Sequence, residues 1–173
     1  MNNIIKSTYK PTNSYSKLDV ENVFLSQPED SWTYSHHPFL TFFNGTCFAM
    51  WSNGMQHEDH SGQRVMYSYS QDFMSWSRPE ILLDTKMGKH SELILTPAGF
   101  HVCGNTIQAY FFQYELSNQI QYHHEDLGLF AITSDDGKNW SAPIDLNLKV
   151  GPNHGPQRTA SGRLIISSGI IHP

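Results

Sequence analysis

Ten histidines stand against eleven lysines and arginines, a large share of the one side chain that serves as acid, base or ligand near neutral pH. His36 and His37 directly precede an apolar run, and His154 precedes another of the same layout. His90 lies two residues from Glu92, so on an extended chain the two point the same way and the pair can pass or orient a proton. His37, His90 and His154 are therefore the candidate catalytic residues. Arg64 and Arg158 can hold a carboxylate by paired hydrogen bonds, Asn53 and Gln157 can read hydroxyl groups, and Tyr114 offers a phenol or a stacking face. With His36 and Glu92 these make the candidate substrate-binding set. Each has a plain structural use beside the chemical one: an imidazole can bond a carbonyl at a strand end, Arg64 can form a strand-edge salt bridge, and Tyr114 can pack in a core or rim.

Two runs gather ligand types without the spacing of a known metal motif. Gln56-His57-Glu58-Asp59-His60 and His123-His124-Glu125-Asp126 both read as solvated loops at corresponding places, and no metal or cofactor is assigned. Cys47 and Cys103 lack a CxxC spacing and read as two buried thiols. A net charge of −5 without a basic cluster argues against nucleic acid, whose binding rests on cationic contacts to phosphate. Met1 to Val20 lacks the apolar core of an export signal, and no run approaches the roughly 20 apolar residues that span a bilayer. Neither a leader nor a membrane anchor is expected.

What must position these residues is a set of strands. From Phe39 onward, short runs rich in aromatic and β-branched residues alternate with Gly, Asn, Asp, Ser and Pro, the pattern of strands and tight turns. Strands are expected at Phe39 to Phe43, Cys47 to Ser52, Arg64 to Ser70, Phe100 to Cys103, Ile107 to Tyr114, Leu127 to Ser134 and Leu164 to Ile171, with no helix. Asn44-Gly45 and Gly104-Asn105 are hairpin turns, since these residues tolerate positive φ.

The strands repeat. FLTFFNGTCFAMW (Phe39 to Trp51) aligns with FHVCGNTIQAYFF (Phe100 to Phe112), and RVMYSYSQDFMSWSRPEIL (Arg64 to Leu82) aligns with LFAITSDDGKNWSAPIDL (Leu129 to Leu146). The period is roughly sixty residues, and a third copy opens at His154, about two periods after His37. Four antiparallel strands repeated in this way form a propeller blade, and closed propellers take about 4 to 8 blades. The expected architecture is all-β: a β-propeller of four-stranded antiparallel blades, an incomplete fragment of about two to three blades. Residues 1–30 are read as a lead-in and 31–173 as the partial propeller. An open stack exposes apolar blade faces, so missing C-terminal blades or self-association is expected. A β-sandwich is the alternative, but it does not predict the repeat.

Thr133 to Trp140 (TSDDGKNW) fits the Asp-box pattern S/T-x-D-x-G-x-x-W. It reads as a hairpin clamp in which Asp135 accepts turn amides, Gly137 takes the strained backbone position and Trp140 packs beneath neighbouring strands. Ser68 to Trp76 (SYSQDFMSW) is a degenerate copy, read with Met74 in the place of the glycine. On these boxes, and on YSHHPFLTFFNGTCFAMWSNG, GQRVMYS, GKHSELILTPAGFHV and PNHGPQRTASGRLIISSG, the chain resembles bacterial sialidase-like Asp-box propellers over nearly its whole length from Val23.

Within that group it is most similar to polysaccharide-degrading enzymes, including rhamnosidases and ulvan-type lyases that work through histidine. True sialidases differ, opening with a Phe/Tyr-Arg-Ile-Pro motif not found here. The resemblance implies a carbohydrate-active enzyme, of exo-glycosidase type, that cleaves a glycosidic bond in an oligo- or polysaccharide outside the cytoplasm, in the periplasm or extracellular space. It implies no cofactor. A polysaccharide lyase acting on a uronate, with His37 or Tyr114 as base and Arg158 on the carboxylate, stays open. So does a non-catalytic carbohydrate-binding propeller.

Overall fold

The computed structural model describes residues 21–117 and 124–168. The first four strands are β1 (Tyr34–Phe43), β2 (Thr46–Gly54), β3 (Arg64–Ser70) and β4 (Glu80–Leu83). They pair antiparallel in the order β1-β2-β3-β4. A second sheet repeats the arrangement with β5 (Ile94–Cys103), β6 (Thr106–Leu116), β7 (His124–Ser134) and β8 (Ile144–Asp145). A two-stranded piece, β9 (Gln157–Arg158) with β10 (Leu164–Ile165), begins a third unit. All described elements are strands, so the blade architecture expected from the repeat is the one observed. The last expected strand is described only over Leu164–Ile165, and residues 169–171 of it lie outside the described residues.

Both tight turns follow from their dipeptides. Asn44 and Gly45 both have positive φ, 47° and 76°, as a type I′ hairpin requires. At the second, only Gly104 is positive, at 58°, which is the type II′ solution with glycine leading.

The two blades bury a core between them. Met50, Val65 and Tyr67 of the first meet Leu95, Ala109, Phe111 and Ile132 of the second. The outer face of the second blade, with Ile94, Ala98, Tyr110, Phe112 and Leu129, is covered in turn by Leu146, Val150 and Ile166. The third unit lies close because two glycines meet: a Cβ on Gly99 would stand 2.1 Å from the Gly155 nitrogen. Strand β2 is buried along nearly its whole length because Leu25 packs with Ala49, Trp51 and Met66 on the face away from the second blade. That double cover removes the alternation expected of a half-exposed strand.

The two boxes form matching clamps, with two corrections to the sequence reading. In the second blade the acceptor is Asp136, not Asp135: Asp136 Oδ1 accepts from the Lys138 and Asn139 amides at 2.8 and 2.7 Å, and Ser134 Oγ donates to it at 3.0 Å. In the first blade Asp72 Oδ1 accepts from Met74 and Ser75 at 2.9 and 2.7 Å, and Ser70 Oγ donates to it. There the residue standing for glycine is Phe73, not Met74; its φ is 63°, beside 73° for Gly137. The carboxylate has to precede the left-handed residue directly to reach the two amides beyond it, a detail that the pattern does not carry. Trp140 does pack as expected, edge-on to Tyr67 with ring centroids 6.3 Å apart. Cys47 is buried, but Cys103 is exposed at the end of β5, so the reading of two buried thiols fails for Cys103.

Candidate functional site

Antiparallel pairing divides the loops between two ends. The start of β1, the end of β2 and the start of β3 share one end, since Tyr34 pairs with Gly54 and Asn53 with Arg64. In the second blade Ile94 pairs with Tyr114 and Leu116 with His124, which brings the same points together. The tight turns and both boxes lie at the other end, where Cys47 pairs with Ser70 and Ile107 with Ser134. The longer connections, and most of the candidate residues, belong to the first end.

At that end a β-bulge falls between His36 and Phe39, and His37 has a left-handed φ of 51°. Neighbouring side chains on a regular strand point to opposite faces. Here the two imidazoles lie side by side, with ring centroids 4.0 Å apart. Glu58, from the connection between β2 and β3, reaches both: its Oε1 is 3.2 Å from His37 Nε2 and 3.7 Å from His36 Nδ1. Buried Ser52 on β2 donates its Oγ to the His36 carbonyl at 2.9 Å and stands 3.5 Å from His37 Nδ1. Burial and the neighbouring His36 lower the His37 pKa, against the opposing pull of Glu58 and Asp59.

Asp59 extends the cluster into the second blade, accepting the Tyr114 hydroxyl at 2.8 Å. Tyr114 is buried and its ring stacks on His124 at 4.0 Å. Burial, reinforced by Asp59, pushes the Tyr114 phenol far above its ordinary range, so it is a hydrogen-bond donor rather than a base. Arg64 Nε donates to Asn53 Oδ1 at 3.0 Å, its guanidinium lies 3.8 Å over the Trp32 ring, and Asn53 is buried. These contacts hold Arg64 against both Asn53 and Trp32.

Glu92 stands against the same connection. Ser61 Oγ donates to its carbonyl at 2.9 Å, and a Cβ on Gly62 would lie 2.7 Å from its Oε2. His90 is exposed on the segment before β5, and its amide donates to Glu115 Oε2 at 3.0 Å. His154 is half-buried, with Nδ1 2.9 Å from the Gly155 carbonyl and Nε2 2.6 Å from Ser167 Oγ, a strand-end arrangement. Gln157 donates to the Gly155 carbonyl at 3.2 Å. Arg158 is directed instead to the Cys103 sulfur at 3.8 Å, at the box end of β5. The structure thus joins His36, His37, Asn53, Arg64 and Tyr114 at one end, adds Glu92 and His90 at its edge, and does not bring Arg158 there.

Glu58 is exposed, as the solvated-loop reading has it, but it and Asp59, absent from the candidate set, are the residues of that loop that reach the histidines and Tyr114. The signal was present in the ligand-rich run Gln56 to His60, but only folding shows which of its side chains meet residues of other strands. Of the corresponding run in the second blade, His123 lies outside the described residues. His124 stacks on Tyr114, and Asp126 pairs with Lys89 at 2.7 Å.

A family model described as BT_1020-like, N-terminal beta propeller, matches residues 23–91. Among solved structures, a Trypanosoma rangeli sialidase in complex with sialic acid superposes with a TM-score of 0.53 and 16% identity over 68% of this chain. The fold is that of the sialidase-like β-propellers. A second sialidase of this fold superposes with a TM-score of 0.56 and 16% identity over 73% of the chain. A T. rangeli sialidase mutant displaying trans-sialidase activity gives a TM-score of 0.54 and 16% identity over 72%. The chain spans 22%, 14% and 23% of the length of these three sialidase-like propellers. No curated protein matches it.

Proposed function

We infer that this chain forms part of the substrate mouth of a carbohydrate-active enzyme, one that cleaves a glycosidic bond at or next to an acidic or deoxy sugar. The observation that carries this is the His37–Glu58 contact of 3.2 Å at the open end of the inner strand. A lowered imidazole pKa keeps His37 neutral and able to take a proton near pH 7, and a carboxylate beside it orients the ring and stabilises the imidazolium that results. In hydrolysis one group takes the proton of the attacking water while another protonates the leaving oxygen. Exposed His90 and the more distant His154 are the remaining proton-transfer candidates. Glu92, Asn53, Arg64, His36 and Gln157 are candidates for contacts with sugar hydroxyls and carboxylate.

The alternative lyase would need a free base. A phenol that is buried, donated to Asp59 and raised in pKa is poorly suited to that role, which favours His37 over Tyr114. Release of reducing ends from uronate- and deoxy-sugar-containing glycans is the test. His37→Ala should lower turnover by about a hundredfold or more while the melting curve stays in place. Reducing ends accompanied by ultraviolet absorbance from an unsaturated sugar would identify a lyase. Glycan binding without turnover in the unmodified chain would replace the enzyme with a binding module.

The family-type assembly extends to the outer face of the first blade. Ala49, Trp51 and Met66 stand on that face as Ala109, Phe111 and Phe130 stand on the face that the second blade turns to the first. Nearby Leu40, Phe42 and Phe73 are 64%, 56% and 55% exposed. The occupant that fits this patch is a further blade of the same kind, supplied by additional chain or by a second copy.

A further inference from the structure

We propose that His36 Nδ1, His37 Nε2 and Glu58 Oε1 form a binding site for one divalent first-row cation of the zinc class. Nothing in the sequence spacing marks it, since the carboxylate comes from a different connection than the imidazoles. The three donor atoms lie within 4.8 Å of one another, and Glu58 Oε1 is 3.2 and 3.7 Å from the two nitrogens. Tetrahedral zinc, with bonds near 2.0 to 2.2 Å, holds its donors about 3.3 Å apart. A small side-chain adjustment therefore closes the shell.

The backbone brings this set together, by a bulge that the second blade repeats between Pro97 and Phe100 without histidines. Regular pairing would send the two imidazoles to opposite faces; the bulge and the left-handed φ of 51° at His37 put them together. Such backbone costs free energy and persists where the surroundings enforce it. Ser52, fully buried, sits 3.5 Å from the other nitrogen of His37, the position from which an outer partner fixes the tautomer and aim of a ligating imidazole. His36 and Glu58 are each 48% exposed at the side chain, so the fourth position opens to solvent. Two imidazoles and one carboxylate with an open position is a donor set of catalytic zinc.

The function of the ion rests on the reading of this end as a substrate mouth, whereas its binding does not. With the ion bound, His37 is a ligand, and the proton-transfer group becomes a metal-bound water of lowered pKa; a sugar carboxylate can also take the open position.

The test is titration of the metal-free chain with Co2+, followed by calorimetry and visible absorption, then displacement by Zn2+. One equivalent is expected to bind with intensified visible bands. Glu58→Gln and His36→Ala should each weaken binding by about tenfold or more, and His90→Ala should leave it unchanged. Lack of saturable one-to-one binding, or binding that survives both ligand variants, overturns the site. One-to-one binding without glycan turnover upholds the metal site and counts against the enzyme; turnover by a chain that binds no Co2+ does the reverse.

Discussion

His37 Nε2 and Glu58 Oε1 lie 3.2 Å apart, although one belongs to a bulge of β1 and the other to the connection leaving β2. This contact turns a pair of adjacent histidines into a three-residue polar centre. It lies at the end of the blades opposite the box clamps, the end that we propose as the substrate mouth.

The clamps should make the fold sensitive to acid. Asp72 is held down to about 2, and Asp136 is held well below the ordinary carboxylate range, in both cases chiefly by turn amides that bond the ionised form. A carboxylate with a depressed folded-state pKa adds stability that is present above its unfolded pKa and is lost as pH falls through the folded one. Melting temperature should therefore drop between about pH 4 and pH 2, and Asp72→Asn with Asp136→Asn should flatten that drop. An unchanged slope in the double variant would show that other carboxylates govern it.

Gly137 is fixed by conformation and space together. Its φ is 73°, and a Cβ there would stand 2.2 Å from Phe48 Cζ. Gly137→Ala should destabilise the chain by about 2 to 4 kcal/mol, from left-handed backbone and overpacking combined, measured by urea denaturation. A loss under about 0.5 kcal/mol, the size of a surface substitution, would mean that the hairpin shifts without cost.

Glu115 is the tie between the core and the His90 segment. It is 1% exposed and accepts the amides of Lys89 and His90. Glu115→Ala leaves those amides without their acceptor, at about 1 to 3 kcal/mol for each one that stays buried. Hydrogen exchange at Lys89 and His90 should quicken far more than exchange in β3. Equal change everywhere would point to global loss of stability instead.

The exposed Leu40, Phe42 and Phe73 beside the outer face of the first blade predict association. Light scattering coupled to size exclusion should show species larger than a monomer, and Phe42→Ser with Leu40→Ser should shift the distribution toward the monomer. A compact monomer for the unmodified chain would remove the case for a further blade on that face.

Sequence alone determined the longer strands, the hairpins and the repeat, because period-two patterning, Asn-Gly and Gly-Asn turns and the recurring tryptophans are local signals. It named none of the short strands Glu80–Leu83, Ile144–Asp145 and Gln157–Arg158, and it started the inner strands at Phe39 and Phe100 rather than at Tyr34 and Ile94. Of the residues that it singled out, His36, His37, Asn53, Arg64 and Tyr114 lie at one end because strand order follows chain order within each blade. Only the tertiary structure decided that Glu58 reaches the two histidines and Asp59 reaches Tyr114, that Arg158 points toward Cys103 at the other end, and that Asp136 rather than Asp135 closes the clamp. The reason is physical. A strand pattern fixes faces only where pairing is regular, and the site is built at a bulge and in a connection, where one extra residue or one left-handed φ re-aims a side chain.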